Sequence, residues 1–342
     1  MRRSLLSVLI FVSCQTLTNS IGRTREIMVV SGSEEVFDSL SQAIQMTYYT
    51  PRREDKYQFI RVDAEKLPKI LKFHMIILAD PLPGTEVGEV ISNLLSPKAE
   101  SIVRHDRFGV FQTRNQWATH QKIMIVTAWD DSMLLKGIAM NKRRIRKLVN
   151  NHFYERIAAE TFAVGEDKNK EEYLLKRYNY RIRIPTGYLL EEKFSDKGFI
   201  YLHRHNPDRS IFISKVQKPE SLTIDWLLDQ RDLLTLLYYE GDFAYRDLCF
   251  GGWTEINGKD VFKIYGVWQN DSIGAGGPFV TICYPEADYC YLVDGIVFAP
   301  GKKKITYLTS VEAIVSSFIH LDTYDQSAII PFIGGVSWVT QN

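Results

Sequence analysis

The sequence predicts an α/β (α+β) protein of two domains. Three observations predict it: short apolar runs alternate with helical patterns in the first half, long apolar runs follow one another in the second, and a charged stretch at 166–170 separates them. The 342 residues also exceed the roughly 250 to 300 at which single hydrophobic cores usually stop growing. We therefore expect two domains, each a mixed or antiparallel sheet covered by helices.

Composition and charge are those of an ordinary globular protein. Hydrophobic residues make up 45% of the chain and charged residues 24%, and 42 Lys and Arg face 41 Asp and Glu. Binding to nucleic acid depends on neutralising many phosphates, for which a nearly neutral chain has few cations in excess. The sequence therefore predicts no nucleic-acid partner.

The first 13 residues have the form of an export signal peptide. Arg2 and Arg3 precede an apolar run at 5–12, which is shorter than the roughly 20 residues needed to span a bilayer. The polar residues 14–25 then predict a tether between this signal and the first domain.

Residues 11–14, Phe-Val-Ser-Cys, resemble a lipobox, which implies that Cys14 is the mature N-terminus and carries lipid, including palmitate. A leader cut elsewhere is the alternative. Gln15 follows the cysteine, and the resemblance to lipoproteins of Gram-negative bacteria then implies a periplasm-facing lipoprotein of the outer membrane, with exposure at the cell surface left open. The predicted partner is the membrane, bound through the lipid anchor at Cys14.

The N-terminal α/β domain is predicted to cover residues 26–165. Apolar runs predict strands at 27–30, 59–62, 75–79, 101–111 and 122–128, and apolar residues at helical spacing predict helices at 36–44, 64–71, 87–95 and 130–162. Because strands alternate with helices, we expect a mixed or partly parallel sheet with helices packed on it.

Two lysine- and arginine-rich clusters are candidates for contact with an anion or a partner. The first lies in the long helix and consists of Lys142, Arg143, Arg144, Arg146 and Lys147. It can meet anionic lipid headgroups, or it is a solvated helix face whose side-chain stems cover an apolar stripe. The second consists of Lys302, Lys303 and Lys304, at a helix start where cations oppose the helix dipole, which hints at an anionic contact.

Residues 166–170 are the predicted linker, and the C-terminal α+β domain is predicted to cover 171–320. Apolar runs predict strands at 180–184, 188–192, 198–203, 210–216, 261–268, 279–284 and 289–299, and helices at 223–238 and 307–318. An antiparallel sheet with covering helices resembles the Mog1 and PsbP-like folds, especially through the entry Pro185-x-Gly187-Tyr188.

Several short motifs in one order carry a family resemblance. They are Ile184-Pro185-x-Gly187-Tyr188, Trp226-Leu227-x-x-x-Arg231-Asp232, Gly266-Val267-Trp268, Gly276-Gly277-Pro278-Phe279 and Gly295-x-Val297-Phe298-Ala299-Pro300-Gly301. In this order they resemble the domain of unknown function 4837 family (DUF4837) of bacterial envelope lipoproteins, over about residues 27–318. The family has no established activity, so the resemblance implies a location and a fold class but no catalytic residues.

The residues that could carry chemistry form no complete site in the sequence. His203 and His205 would share one face of a strand, but no third metal ligand has suitable spacing. Gly274 to Gly277 lack the Gly-Lys-Ser/Thr ending of a phosphate-binding loop, and Cys249 has no neighbouring histidine. We therefore predict no metal, no cofactor and no catalytic residue.

Cys283 and Cys290 are predicted to form a disulfide, because they flank the tip of a hairpin at facing positions and an exported protein meets an oxidising compartment. Cys249 would remain unpaired. The aromatic residues of the second domain, Trp253 among them, include candidates to line a groove.

The chain ends in an apolar tail, 321–342, which either packs on its own domain or occupies a partner. The leading functional prediction is a non-catalytic binding or assembly factor on the periplasmic side of the outer membrane, with an envelope protein as a candidate partner. The alternative is an envelope hydrolase that acts on a surface polymer or its fragments.

Overall fold

The computed structural model describes residues 17–239 and 241–321. Two units make up the chain: unit 1 contains residues up to Ile44 and Gln58–Arg146, and unit 2 contains Gln45–Tyr57 and the residues from Lys147 onward. A short N-terminal segment thus belongs to the C-terminal unit. The predicted signal peptide at 1–13, the lipid attachment site Cys14 and residues 322–342 of the predicted tail lie outside the described residues.

Unit 1 is built on a five-stranded sheet in the order β4-β1-β5-β7-β6, in which only β6 runs antiparallel to its neighbour. The strands are β1 (Glu26–Val30), β4 (Gln58–Val62), β5 (Met75–Ala79), β6 (Phe108–Arg114) and β7 (Lys122–Ala128). The helices are α1 (Glu34–Ile44), α2 (Leu67–Ile70), α3 (Glu86–Leu94), α4 (Pro97–Asp106) and the first part of α5 (Asp131–Phe162). Every residue of β5 and β7 is buried, which explains why the parallel strands read as continuous apolar runs.

The predicted strand at 101–111 was wrong in its first half, because α4 occupies residues up to Asp106 and β6 begins at Phe108. The Ser96 hydroxyl accepts a hydrogen bond from the Ala99 amide at 3.2 Å, and Pro97 takes the first helical position. Serine and proline in this order are a helix-start signal, and they outweigh the apolar residues that follow.

Unit 2 is built on an eight-stranded antiparallel sheet in the order β12-β14-β15-β16-β11-β10-β9, with β13 also paired to β14. The strands are β9 (Leu189–Glu191), β10 (Phe199–Arg204), β11 (Asp208–Gln217), β12 (Phe243–Ala244), β13 (Phe250–Ile256), β14 (Lys259–Asn270), β15 (Ala275–Pro285) and β16 (Tyr289–Phe298). Two small two-stranded antiparallel sheets accompany it: β2 (Thr47–Tyr49) with β3 (Arg53–Asp55), and β8 (Tyr180–Arg181) with β17 (Ile319–His320).

Helices cover both faces of this sheet. One face packs on α6 (Lys168–Tyr178) and α8 (Ile305–Val315) through residues such as Leu174 and Leu308, and the other packs on α7 (Ile224–Tyr238) through Leu227 and Leu228. Alternate strand residues therefore enter two separate cores. The predicted α+β class is confirmed.

Residues 166–170, the predicted linker, lie within unit 2. Asp167 caps α6 by accepting a hydrogen bond from the Lys170 amide at 3.2 Å, and Glu166 pairs with the Arg183 guanidinium at 2.8 Å. A charged segment that caps a helix has the same composition as a linker, which is why the sequence did not distinguish the two.

Candidate functional site

Strands β13 and β14 form a hairpin that presents Trp253 at the surface. Their turn is Asn257-Gly258, and both residues have positive φ, 51° and 77°, as a two-residue hairpin turn of this type requires. Trp253 faces Phe262 across the strands, and the rings meet edge to face at 5.5 Å. Trp253 is 58% exposed, whereas Phe262 is buried. The exposed indole ring therefore packs on a ring of the hydrophobic core.

Trp253 forms one wall of a surface cleft of about 520 Å³, the Trp253 cleft. The remaining lining residues are Lys218, Pro219, Glu220, Leu222, Asp260 and Pro285. The Lys218 ammonium donates a hydrogen bond to the Glu286 carbonyl at 2.7 Å, which fixes that wall. The volume lies within the range of ligand-binding sites, and the lining combines apolar walls with one cation and two carboxylates, as such sites commonly do.

The predicted disulfide residues lie on neighbouring strands next to this cleft. Cys283 pairs with Leu292 and Cys290 pairs with Pro285, so the two cysteines are diagonal neighbours rather than directly facing. Both are buried thiols, and the hydrogen bond that Cys283 donates to Cys290 raises the pKa of Cys283 and lowers that of Cys290. The disulfide stays a prediction for the oxidised protein.

A buried lysine lies inside unit 2, where the chain segment after β3 enters the domain. The Lys56 side chain is fully buried, and its ammonium donates to the Tyr154 hydroxyl at 2.8 Å and to Asn150 Oδ1 at 3.2 Å. It also lies 4.2 Å from the centre of the Tyr154 ring and 4.8 Å from that of Phe153. Burial lowers the pKa of Lys56 to about 7, since removal from water disfavours the charged amine.

Glu312, on α8, is the carboxylate of the same network. Its Oε1 accepts hydrogen bonds from the Lys263 ammonium at 2.6 Å and from the Tyr265 hydroxyl, whereas Oε2 has no partner among the described residues. Burial raises the pKa of Glu312, but the ammonium groups of Lys263 and Lys56 outweigh it and hold that pKa below its ordinary value. The carboxylate is therefore ionised and pairs with the partly buried Lys263 ammonium.

We expect the Lys56 amine to make stability depend on pH. Between pH 7 and 10.5 the unfolded chain holds a proton that the folded protein lacks, so the free energy of unfolding rises with pH by about 1.4 kcal/mol per unit across this window. Relative to Lys56→Met, the wild type should gain about 3 kcal/mol between pH 7 and 9.5. Urea unfolding of both proteins at several pH values measures this, and parallel curves would contradict it.

The second lysine cluster, Lys302 to Lys304, lies at the N-terminal end of α8. A carboxylate of the same chain caps this helix end. Glu54, on β3, accepts hydrogen bonds from the Lys304 amide at 2.9 Å and the Ile305 amide at 3.2 Å, at the start of α8. A carboxylate at this position interacts favourably with the positive end of the helix dipole. The Lys302 and Lys303 side chains are exposed, whereas Lys304 is buried.

The first cluster lies along α5. Lys142, Arg143, Arg144 and Lys147 are exposed, and Arg146 donates to the Ala43 carbonyl in the last turn of α1 at 3.0 Å. Arg146 thus has a role in the fold, while contact of either cluster with a partner stays a prediction.

The paired histidines each lie beside a carboxylate. His203 Nε2 is 2.9 Å from Glu191 Oε1, and His205 Nδ1 is 2.7 Å from Asp208 Oδ1. Within 17–239 and 241–321, no group of three or more His, Cys, Asp or Glu is placed to hold a metal ion. No helix of the described chain is both long enough and apolar enough to cross a bilayer.

A known protein family matches part of the second unit. Residues 167–317 match the family described as "Domain of unknown function (DUF4837)". No curated protein matches the chain.

Two solved structures are similar to part of the chain. One is the solution structure of cyanobacterial PsbP (CyanoP) from Synechocystis sp. PCC 6803, with 11% identity over 42% of this chain and 87% of that chain and a TM-score of 0.29. The other is LpqN, described as involved in cell envelope biogenesis of Mycobacterium tuberculosis, with 12% identity over 41% of this chain and 81% of that chain and a TM-score of 0.26.

The family match runs from the cap of α6 to the end of α8, so it includes the whole lining of the Trp253 cleft. The resemblance that the sequence motifs suggested over residues 27–318 is confirmed over this shorter range. Residues 167–317 of this chain match the DUF4837 family.

Proposed function

We propose that this protein is a lipoprotein of the cell envelope, anchored through Cys14 on the periplasmic side of the outer membrane, and that the Trp253 cleft binds an envelope partner without catalysis. The observation that carries the proposal is the 58% exposure of Trp253 above the buried Phe262 ring. Tryptophan in a pocket is a frequent source of binding energy, and a preformed aromatic wall loses little side-chain freedom when it is covered.

Trp253→Ala should remove this binding with little effect on folding. We expect the partner recovered with the wild type to fall at least tenfold, in an affinity pull-down of the full lipidated chain from detergent-solubilised envelope followed by mass spectrometry. Ile273→Ala is the matched control, because Ile273 is 63% exposed and lies in the same domain but outside the cleft lining. Equal recovery with Trp253→Ala would contradict the proposal.

Hydrolysis of an envelope polymer is the second candidate function, and the two carboxylates of the Trp253 cleft favour it. Glu220 and Asp260 both line the cleft, and a carboxylate pair is the group that most glycoside hydrolases use. Release of reducing ends from isolated envelope polymer, lost in both Glu220→Gln and Asp260→Asn, would support this function. If the wild-type protein does not change the polymer, hydrolysis is excluded and non-catalytic binding is the function that the cleft supports.

The anchor has its own test. We expect Cys14→Ala to shift the protein from the membrane fraction to the soluble fraction, because acyl chains contribute about 0.8 kcal/mol per buried CH₂. Fractionation with carbonate extraction measures this. A Cys14→Ala protein that is processed at the same position and still membrane-bound would show that the anchor lies elsewhere.

A further inference from the structure

We propose that the free edge of β13 binds an extended segment of the envelope partner as an additional antiparallel strand, which places an apolar side chain beside Trp253 and a lysine or arginine beside Glu255. The inference rests on the proposed role of the Trp253 cleft as a binding site. It adds the way in which the partner is bound and the chemistry that its segment must have.

The edge of the sheet at β13 is long and lacks the usual protection. Among the described residues β14 is its only strand neighbour, and no described group is hydrogen-bonded to its other side. The short strands β9 and β12 have three and two residues, whereas β13 has seven and contains neither lysine nor proline. Short strands, lysine and proline are features by which proteins prevent an edge from pairing with another chain. The β13 edge is therefore available for a further strand.

The register of the hairpin identifies the backbone groups at this edge. In a two-residue turn such as that at 257–258, the flanking residues Ile256 and Lys259 form a hydrogen-bonded pair. Hydrogen-bonded and non-hydrogen-bonded pairs then alternate along the two strands. Glu255 and Trp253 fall in non-hydrogen-bonded pairs, so their N–H and C=O groups point away from β14. An added strand would pair with these groups.

The side chains along the edge indicate which segment fits. Trp253 and Glu255 are two residues apart, so they lie on the same face of the sheet. Two other residues of the cleft lining, Asp260 and Pro285, belong to β14 and β15, which places Trp253 between the cleft and the free edge. An apolar side chain opposite Trp253 would cover the outer surface of the exposed indole ring.

Charge favours a basic segment of another protein over a second copy of this chain. Glu255 directly faces Asp260 across the strands, both residues are exposed, and no ion pair joins either of them to a described residue. Like charges at directly opposite positions are destabilising. A lysine or arginine on the added strand would relieve this repulsion, whereas a second copy would bring the same two carboxylates to the edge.

Peptide binding to the full-length chain tests the inference. The probe is fluorescein-labelled Thr-Lys-Thr-Val-Thr-Lys-Thr, in which an antiparallel strand puts valine opposite Trp253 and lysine opposite Glu255, and fluorescence anisotropy measures binding. We expect saturable binding of this lysine peptide, and at least tenfold weaker binding when glutamate replaces both lysines. N-methylation of the valine should also weaken binding at least tenfold, because it removes the N–H that would donate to the Trp253 carbonyl.

Two variants of the protein separate the backbone from the side chain. Glu255→Pro and Glu255→Gln both remove the carboxylate, but only proline also removes the amide N–H. Proline is tolerated on an edge strand where that N–H faces away from the sheet. Glu255→Pro should bind the lysine peptide at least tenfold more weakly than Glu255→Gln, with circular dichroism confirming that both are folded. If Glu255→Pro does not fold, the N-methylated peptide decides with the wild type alone.

The inference would be overturned by the absence of saturable binding of the lysine peptide, or by equal binding of the N-methylated or the glutamate peptide. A dimer in analytical ultracentrifugation that Glu255→Pro abolishes would also overturn it, since a second copy would then occupy the edge. If the partner is still lost from the Trp253→Ala pull-down, the proposed function survives such a failure. Partner recovery unchanged in Trp253→Ala, with the peptide results as expected, would instead contradict the role of the cleft and support binding at the edge.

Discussion

Glu312→Gln is expected to lower the free energy of unfolding of unit 2 by about 3 to 5 kcal/mol. The glutamine would keep the shape of the side chain and could still accept from Tyr265, but it would remove the negative charge that faces Lys263 at 2.6 Å. Lys263 is only 15% exposed, and Lys56 is fully buried. Lys263 would lose the charge that balances it in a site with little water, and a buried charge without a partner is strongly destabilising. Lys56 would instead release its proton more readily, because burial lowers its pKa and Glu312 raises it.

A second substitution separates loss of charge from loss of packing. Lys263→Met in the Glu312→Gln background should recover at least half of the lost stability, since it removes the ammonium that Glu312 balances. Glu172→Gln is the surface control: Glu172 pairs with Lys176 while 59% exposed, and the loss of such an exposed pair should leave stability almost unchanged. Urea unfolding followed by circular dichroism measures all four proteins. A Glu312→Gln protein no less stable than the control would refute the assigned role of the carboxylate.

The sequence allowed the large strands of unit 2 to be predicted but not this network. The runs at 261–268, 279–284 and 289–299 are long, apolar and bounded by turn residues, so they are strands under almost any tertiary arrangement. Lys56 lies in a short polar segment that reads as a surface loop. Its burial depends on Tyr154 and Asn150, which lie more than 90 residues away, and no local pattern reports such a contact.

The same limit applies to the candidate site. Trp253 was one of several aromatic residues singled out from the sequence, yet the strand that carries it was not predicted, although Asn257-Gly258 is a strong hairpin signal between two apolar runs. The cleft itself joins side chains from three separated parts of the chain, near 218–222, 253–260 and 285. Its shape depends on how these parts meet, and only the folded sheet specifies that.

The start of α8 is capped by a carboxylate of the chain itself, while contact of the Lys302, Lys303 and Lys304 side chains with an anion stays a prediction. Lys302, Lys303 and Lys304 oppose the helix dipole, which suggested a contact with an anion. The structure supplies a carboxylate at that helix end from Glu54, about 250 residues earlier in the sequence. The insertion of 45–57 into unit 2 is what allows this contact.

A second buried ion pair joins Arg231, a residue of the family motifs, to Asp294. Arg231 is completely buried on α7, with its guanidinium 4.0 Å from the centre of the Phe279 ring, and its Nε donates to Asp294 Oδ1 at 3.2 Å. The Thr281 hydroxyl donates to the same oxygen. Arg231 Nη2 and Asp294 Oδ2 have no hydrogen-bond partner in the described part of the chain. Burial raises the pKa of Asp294, and Arg231 opposes that rise.

The two halves of this pair should respond unequally to substitution. Asp294→Asn is expected to cost about 3 to 5 kcal/mol of unfolding free energy, because a guanidinium cannot lose its proton and would stay charged. Its remaining carboxylate would be Asp232, whose Oδ1 is 3.5 Å from Arg231 Nη1. Arg231→Met leaves a carboxylate that can take up a proton instead. Asp229→Asn, in the exposed pair of Asp229 with Arg246, is the control and should cost about 1 kcal/mol or less.

The pH dependence of Arg231→Met distinguishes this explanation from a simple loss of packing. Without Arg231, the folded-state pKa of Asp294 should rise further above its unfolded value, so the folded variant binds the proton more tightly than the unfolded chain does. Stability of the variant relative to the wild type should then fall as pH rises, by about 1.4 kcal/mol per unit until the folded pKa is passed. Urea unfolding at pH 5 and pH 7 should therefore show a larger deficit at pH 7. A deficit independent of pH would mean that Arg231 stabilises the core through its contact with Phe279 rather than through its charge.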